Sequence, residues 1–357
     1  MIKFTTYKIN GFLFFIAVGA LFFGCSTHKV IEMNYVDYYD IAPNLTYNNS
    51  KVGGISGIDF NVKNNSYFLI SDDRSEHSEA RFYEVLIDIK KNKIDSVVFL
   101  KKTIILDENK NPYAKNQIDL ESIRFSPNQN ILLISDEGGE QGKTTIRTIN
   151  NEGEFIREFP LSNEYLSKIR KNKSFESLSF SKDYQTIFYA TEAPILDDGM
   201  ISTSNNRGVI RIFESNFKNG KIKKELKYWL EKVPQKAEIQ PPWNGTGSDN
   251  GLSEILSLNS NEFLTLERSG AYQKDGSFKY ICKVFFTKIT KKGVENIFHT
   301  DKKELIDFSK FSFGGVNVEG MTLGPIINQK QSVLFVSDNN FKNKISTRIF
   351  LFTMYHK

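Results

Sequence analysis

Short apolar runs separated by polar turns recur along the chain. The first clear example is ESIRFSPNQNILLISDEGG, residues 121–139, in which apolar and polar positions alternate on both sides of a turn at Pro127. Acids stand at both ends of this segment, with Glu121 at the start and the pair Asp136 and Glu137 at the end. Alternation with a period of two, bounded by turn residues, is typical of a β-hairpin. The segment is therefore predicted to form an antiparallel hairpin that carries carboxylates at both ends.

The same pattern recurs four more times, with the acid replaced by serine at one start. These copies span Ser56–Asp72, Glu176–Glu192, Glu254–Glu267 and Glu319–Asp338. Each copy is followed by further strand-like runs, such as RFYEVLIDI and GVIRIFES. Units of several strands that repeat at intervals of this size are typical of the blades of a β-propeller.

We therefore predict an all-β fold, a β-propeller of five or six blades, with six favoured. The sixth blade would lie within residues 205–250 or be assembled from both termini. Residues 232–251 are rich in Pro, Gly and Asn and predict a long surface loop near one mouth of the channel. A β-sandwich is the alternative, but it does not explain a repeated hairpin bracketed by acids.

The N-terminal segment predicts export rather than folded structure. Lys3 and Lys8 precede the apolar run GFLFFIAVGALFFGC, which ends at Cys25. This order is typical of a signal peptide, and Cys25 after a small residue resembles the site of bacterial lipidation. An uncleaved anchor is the alternative, although the run is shorter than the ~20 apolar residues of a membrane span. We predict a signal peptide over residues 1–24, a tether over 25–50 and the propeller domain over 51–357.

Composition narrows the classes of partner. The 47 basic and 42 acidic residues give a net charge of +5, and the lysine pairs lie in polar stretches typical of solvated loops, so no nucleic-acid partner is predicted. Cys282 is the only cysteine besides Cys25, which excludes an intramolecular disulfide and a cysteine zinc site in the exported chain. Cys282 lies in the apolar run YICKVFF and is predicted to be an inert core residue. We expect a monomer.

Paired acids at hairpin ends predict a cation site. In an antiparallel hairpin the first residue of one strand lies opposite the last residue of the next, so both acids of a unit reach the same rim. Radial repetition then gathers carboxylates at one mouth, where Ca²⁺ would relieve their repulsion with its six to eight oxygen ligands. Candidate ligands or general bases are Glu121, Glu176, Glu254 and Glu319. Candidate metal ligands are Asp72, Asp136, Glu137, Glu192, Glu267 and Asp338. The alternative is that each acid has a structural role, accepting backbone N–H groups or pairing with an arginine.

An ordered set of segments resembles one known family. The segments GGISGIDF, ESIRFSP, ISDEGG, FESLSFSKD, GLSEILSL, FLTLERS, NVEGMTLG and LFVSDNNF resemble the esterase-like activity of phytase family over about residues 52–350. The resemblance implies a secreted or lipid-anchored β-propeller with phosphoester or ester hydrolase activity. The chain departs from calcium-dependent β-propeller phytases because it lacks their aspartate-rich repeats, which argues against phytate as substrate. The positions that match the family include the acids named above, together with Asp73, Arg74, Arg268, Asn339 and Asn340.

Other hydrolytic chemistries lack their residues. No Gly-x-Ser-x-Gly elbow, His-Glu-x-x-His motif or phosphate-binding loop is present, and of four histidines only His77 lies near a repeated motif. Oxygen-ligand metal chemistry remains, with Arg74 and Arg268 as candidate ligands for a substrate phosphate. Arg81 is expected to pair with a neighbouring acid.

The prediction is a cell-envelope lipoprotein, in the outer membrane if the host has one, with metal-dependent phosphoester hydrolase activity. Its partners would be a small phosphate ester or other ester and the membrane that holds its lipid. The alternatives are a non-catalytic binding propeller and a lactonase-type propeller hydrolase.

Overall fold

A computed structural model describes residues 31–242, 245, 247–293 and 296–356. The predicted signal peptide and Cys25 lie outside the described residues. Within these described ranges, helix is confined to one short α-helix, α1 (Asn163–Leu166), and two single 3₁₀ turns. Among the described residues, no helix is both long enough and apolar enough to cross a bilayer.

Twenty-two strands make up the regular structure. The N-terminal strands are β1 (Ile31–Ile41), β2 (Thr46–Tyr47) and β3 (Ser50–Lys51). The first unit contains β4 (Ile55–Asn61), β5 (Ser66–Ser71), β6 (Arg81–Lys90) and β7 (Lys93–Ile104). The second contains β8 (Leu120–Ser126), β9 (Ile131–Asp136), β10 (Thr145–Ile149) and β11 (Phe155–Glu158). The third contains β12 (Phe175–Phe180), β13 (Thr186–Thr191), β14 (Val209–Asn216) and β15 (Ile222–Trp229). The fourth contains β16 (Ser248–Asn259), β17 (Glu262–Tyr272), β18 (Phe278–Lys292) and β19 (Ile297–Asp307). The fifth contains β20 (Asn317–Ile327), β21 (Lys330–Asp338) and β22 (Thr347–His356).

Every unit is an antiparallel sheet of four strands in chain order, and β1 supplies the fourth strand of the fifth unit. The third and fourth units also share an edge, because β15 pairs in parallel with β19. The first strands contact one another in the cyclic order β4, β8, β12, β16, β20 and back to β4. Five separate hydrophobic cores lie between consecutive sheets, including one between the fifth sheet and the first. Sheets arranged radially around one axis are typical of a β-propeller.

The N-terminal boundary of the fold differs from the prediction. Residues 31–41 were predicted to lie in the tether, but they form β1 and pair with β22 along its whole length. Strand β22 buries Phe350 and Phe352 and would otherwise be an unprotected edge. The described fold therefore begins at or before Ile31.

The described residues form five four-stranded units, two of which join in one eight-stranded sheet. Residues 205–250 do not form a sixth, because β14 and β15 complete the third sheet. The two termini do combine, but within the fifth sheet. The segment KELIDFSKF forms the end of β19, followed by a 3₁₀ turn at Phe308–Lys310.

One buried arginine links four units at the axis. Arg124 of β8 donates to the carbonyl oxygens of Ile58, Leu178 and Ile255, at 2.9, 2.6 and 3.3 Å. These acceptors belong to the first strands of the first, third and fourth units. Its guanidinium also pairs with Glu254 at 2.5 Å. A guanidinium offers five donors in a planar fork, which suits a site surrounded by main-chain carbonyls.

Replacing Arg124 with methionine should destabilise the fold by about 3–5 kcal/mol, because Glu254 would be left buried without its charge partner. The free energy of unfolding in urea measures this. Arg348→Met is the matched control: Arg348 pairs with Asp40, which is 41% exposed, and should contribute less than about 1 kcal/mol. Equal losses in the two variants would show that the axial contacts do not set stability.

Candidate functional site

Every first strand contains a β-bulge, which determines which side chains reach the mouth of the ring. The register shifts by one residue near the start of β4, β8, β12 and β20 and in the middle of β16. The residues that the pairing skips are Ser56, Glu121 with Ser122, Glu176, Ser253 and Glu319. A bulge re-aims the side chain that it carries, and bulges are frequent beside active sites. Three of the five bulge positions therefore present a glutamate at one mouth of the channel.

A second ring of charges comes from the second strand of each unit. In each unit the first-strand residue just before the bulge pairs with a residue of the second strand. The residue that directly follows this second-strand partner is charged in all five units. In unit order these residues are Asp72, Glu137, Glu192, Arg268 and Asp338. Four units thus supply an acid, and the fourth supplies an arginine.

The carboxylates converge in two groups of three. Oxygens of Asp72, Glu319 and Asp338 lie within 4.8 Å of one another. Oxygens of Asp119, Glu121 and Glu137 form a second group within the same distance. Because both strand ends of each hairpin reach one rim, residues from the first, second and fifth units meet here.

The first group is closely supported by its surroundings. Gly54 has a φ of +58°, and a Cβ there would lie 2.1 Å from Oδ1 of Asp72, so only glycine fits beside this carboxylate. Asn317 donates to Glu319 at 2.8 Å. The backbone N–H of Asn340 donates to Asp338 at 2.8 Å. The second oxygen of Glu319, Oε2, is buried and has no hydrogen-bond partner among the described residues.

Three basic side chains offset part of this negative charge. Arg268 contacts Glu176 and Glu192 at 3.2 Å each, and Glu319 at 2.5 Å. Lys173 contacts Glu192 and Asp249 at 2.7 Å each. Arg74 pairs with Asp119 at 2.6 Å. Glu121 and Asp72 make no ion pair with a described residue, so excess negative charge remains at the mouth.

Burial and mutual repulsion raise the pKa values of these acids. Burial raises the pKa of Asp72 and of Glu121 well above the ordinary value, and neighbouring carboxylates raise both further. The pKa of Glu137 rises to about 7 through burial and the charge of Glu192. Burial raises the pKa of Glu319 to about 8 although Arg268 opposes the rise. A raised pKa favours the protonated carboxyl, and a bound cation would oppose this by stabilising the carboxylate.

A family model described as Phytase-like, esterase-like activity of phytase, matches residues 50–341. The chain belongs to this family. The resemblance predicted from its ordered segments is confirmed. No curated protein matches the chain significantly.

Solved structures of similar fold share little sequence with this family member. A thermostable family-43 glycoside hydrolase has a TM-score of 0.47 and 11% identity, over 87% of this chain and 93% of that one. A periplasmic gluconolactonase from Pseudomonas aeruginosa has a TM-score of 0.36 and 10% identity, over 74% and 87%. A glucose dehydrogenase has a TM-score of 0.39 and 10% identity, over 90% and 98%. Similarities at this level carry no argument about activity.

Three predicted site residues do not lie at the mouth. The bulge in β16 lies at Ser253, so Glu254 is one residue after the position equivalent to Glu176 and Glu319. Its side chain instead pairs with Arg124 at the axis. Glu267 is likewise one residue before Arg268; it is buried and accepts from Tyr228 at 2.6 Å. Asp136 precedes Glu137 and pairs with Arg147 at 2.6 Å. A shift of one residue in a strand reverses the face of a side chain, which explains all three differences.

The remaining predicted acids and arginines do reach the mouth. These are Asp72, Glu121, Glu137, Glu176, Glu192, Glu319, Asp338, Arg74 and Arg268. Asp73 does not join them, because it pairs with buried Arg81 at 2.7 Å and accepts from three backbone N–H groups. Cys282 lies in the core, where burial raises the pKa of its thiol to about 12.

Sequence reasoning missed Asp119, Lys173, Asp249 and Tyr280. Asp119 stands directly before β8, and Lys173 stands two residues before β12, so both flank a predicted hairpin. Their position beside a first strand was the available signal. Asp249 fell within the segment predicted to be a surface loop, whereas it lies in β16.

A cleft of about 380 Å³ opens beside the acids. Lys173, Glu192, Asp249 and Arg268 supply its charged lining, and the predicted loop contributes Gly247. Residues 232–242, 245 and 247 form no strand, in agreement with that loop prediction. The mouth therefore combines oxygen donors for a hard cation with two basic groups in an open cleft.

Metal-free protein should become less stable as pH rises from about 5 to 8.5. In the folded state the pKa values of Glu319, Glu137 and Asp338 are about 8, 7 and 6, above those of an unfolded chain. The buried acids Asp136 and Glu254 each have a pKa of about 7 and act in the same direction. The folded state then binds more protons than the unfolded state in this window, so raising pH favours unfolding. We expect a loss of at least about 1 kcal/mol in chelator, measured by urea unfolding.

Calcium should restore stability most at the alkaline end of this window, where the acids must ionise. Glu319→Gln should flatten the pH profile, since its pKa of about 8 is the highest among these five acids. Stability that rises with pH between 5 and 8.5 in chelator would contradict the assignment of raised pKa values.

Proposed function

We propose that the protein is a metal-dependent hydrolase of phosphate esters, with its site at the acid-lined mouth. The observation that carries this proposal is the convergence of two groups of three carboxylates beside Arg268 and Lys173. Membership of the phytase-like family supports hydrolysis as the class of reaction. The ring of five sheets is interpreted as a five-bladed propeller.

The first group of acids fits a hard cation. Asp72, Glu319 and Asp338 offer only oxygen donors, the kind that Ca²⁺ and Mg²⁺ prefer. Oε2 of Glu319 is buried without a hydrogen-bond partner among the described residues, which leaves one donor atom available to a ligand. We assign these three residues to the cation, with Ca²⁺ as our choice because it accepts flexible geometry. A bound divalent cation supplies charge neutralisation and polarisation of a phosphoryl oxygen.

The basic groups and one free acid perform the remaining tasks. Arg268 and Lys173 bind and orient the phosphate, since charge-assisted bonds from a guanidinium suit phosphate oxygens. The side chain of Glu121 makes no hydrogen bond or ion pair with a described residue, and burial together with neighbouring carboxylates raises its pKa well above the ordinary value. It is our candidate general base, which takes the proton of an attacking water.

We further propose that Cys25 carries a lipid that holds the protein in the cell envelope as a monomer. Strand β1 runs antiparallel to β22, which runs antiparallel to β21, whose last residue Asp338 lies at the acid mouth. Ile31 therefore lies at the opposite end of the ring. A lipid near this end would leave the acid mouth facing away from the membrane.

A non-catalytic binding module is the second candidate. One observation favours it: Arg268 already neutralises part of the charge of Glu176, Glu192 and Glu319 without a metal. A lactonase-type hydrolase would use the same site with another ester. Turnover of phosphate esters, of lactones or of neither distinguishes the three.

Calorimetric titration of Ca²⁺ into chelator-treated protein from Thr27 onward tests the cation site. We expect saturable binding that is lost in Asp72→Asn and Glu319→Gln. Glu84→Gln is the matched control, since Glu84 lies on β6 and accepts from Ser66 and Asn64 away from the mouth. No binding at millimolar Ca²⁺ would refute the calcium site and favour the binding module.

Glu121→Gln should lower kcat for a phosphate ester about 10²–10⁴-fold, because it removes the proton acceptor and keeps the shape of the side chain. Affinity for Ca²⁺ should change little, as measured by the same titration. A parallel loss of Ca²⁺ affinity would make Glu121 a ligand instead. Unchanged kcat would exclude it from the chemistry.

A further inference from the structure

The cleft beside the mouth has an aromatic wall as well as charged groups. Phe278 and Tyr280 lie on one face of β18, with ring centroids 6.1 Å apart and planes 27° from parallel. The same face continues into the core as Cys282 and Val284, which pack between the fourth and fifth units. Both rings line the cleft, and Tyr280 also packs against the edge of the core between the fourth and fifth units.

Gly270 of β17, which has no side chain, leaves space beside the rings of Phe278 and Tyr280. A Cβ at Gly270 of β17 would contact Phe278 at 3.5 Å and Tyr280 at 3.6 Å. These are ordinary van der Waals distances, so a larger side chain at Gly270 would fold but would narrow the cleft. Ile201 contributes a further apolar side chain to the lining.

The charged groups lie next to this wall. Arg268 and Lys173 line the same cleft as the two rings. The Nε–H of Arg268 makes no hydrogen bond among the described residues, while its two terminal nitrogens contact the acids. One anionic group can therefore bind at this end while a flat group packs against Phe278 and Tyr280.

The charge of the mouth limits how many anionic groups a ligand carries. The rings of acids surround Arg268, Lys173 and Arg74, and each of these three bases already pairs with a carboxylate. A ligand with several phosphates would place further negative charge against Asp72 and Glu121, which is unfavourable at short range in a partly buried site.

We propose that the cleft binds a monophosphate ester of a flat aromatic alcohol, with the phosphate at Arg268 and Lys173 and the ring against Phe278 and Tyr280. This inference rests on the proposed function and specifies its substrate class. In the reaction a water oxygen bonds to phosphorus as the bond from phosphorus to the alcohol oxygen breaks. The alcohol leaves with a proton derived from that water.

Competition binding tests the proposal on Ca²⁺-loaded protein, with two non-hydrolysable phosphonates as the central pair of probes. Calorimetry would compare phenylphosphonate, butylphosphonate, inorganic phosphate and inositol hexakisphosphate. We expect phenylphosphonate to bind roughly three- to tenfold more tightly than butylphosphonate, the range that an aromatic contact typically contributes. Inositol hexakisphosphate should bind most weakly of the three organic probes.

Two variants and one control locate the preference. Phe278→Ala should abolish the preference for the phenyl probe, and Gly270→Val should weaken phenylphosphonate binding, while both keep the affinity for inorganic phosphate. Phe99→Ala, which removes a ring that contacts Tyr47 and Tyr83 in the first unit, should change neither. Equal affinities for the two phosphonates, tighter binding of the hexakisphosphate, or a preference that survives Phe278→Ala would overturn the proposal.

Turnover separates this proposal from the proposed function. Ester hydrolysis without preference for aromatic monophosphates would refute the substrate class and leave the hydrolase standing. The expected probe preferences without hydrolysis of any ester would support the cleft as a ligand site and refute the hydrolase.

Discussion

The contact of Arg124 with the main chains of neighbouring units is the interaction on which the architecture depends. Five sheets packed around an axis leave their first strands with carbonyl oxygens that face one another. One guanidinium can donate to several of these oxygens because its donors lie in a plane. Its charge is balanced by Glu254 at 2.5 Å. The axis is thus filled by protein, and the acid mouth is one end of a channel that Arg124 obstructs rather than an open pore.

Closure of the ring has an electrostatic consequence at that mouth. Each hairpin brings a bulge residue and a second-strand residue to the same rim, and closure by β1 fixes the fifth unit beside the first. Asp72 and Asp338 then share one cluster although they are far apart in the chain. Their repulsion opposes folding, so the packing of the five cores must exceed it. A bound cation would convert this repulsion into attraction, which links ligand binding to stability.

The sequence predicted the hairpins and the all-β class because alternation and turn residues are local signals. It also predicted that acids gather at one rim, since antiparallel pairing follows from the hairpin itself. It could not place the bulges, which insert one residue and depend on contacts between units. For this reason the sequence pattern selected Glu254 as a mouth residue, although Ser253 occupies the equivalent position. It likewise selected Glu267, although Arg268 occupies the equivalent position. The closure by β1 was missed because pairing between distant termini leaves no local pattern.

Arg268 makes the fourth unit different from the others, and this difference explains where a ligand would bind. A ring with an acid in every unit would attract cations uniformly and repel any anion. One arginine at the equivalent position offers a place where an anionic group and a cation lie side by side. The same unit carries the long loop before β16 and the start of β18, which both contribute to the cleft. Under the proposed function, this break in symmetry would place a cation beside Asp72, an anionic group beside Arg268 and the organic group beside Phe278.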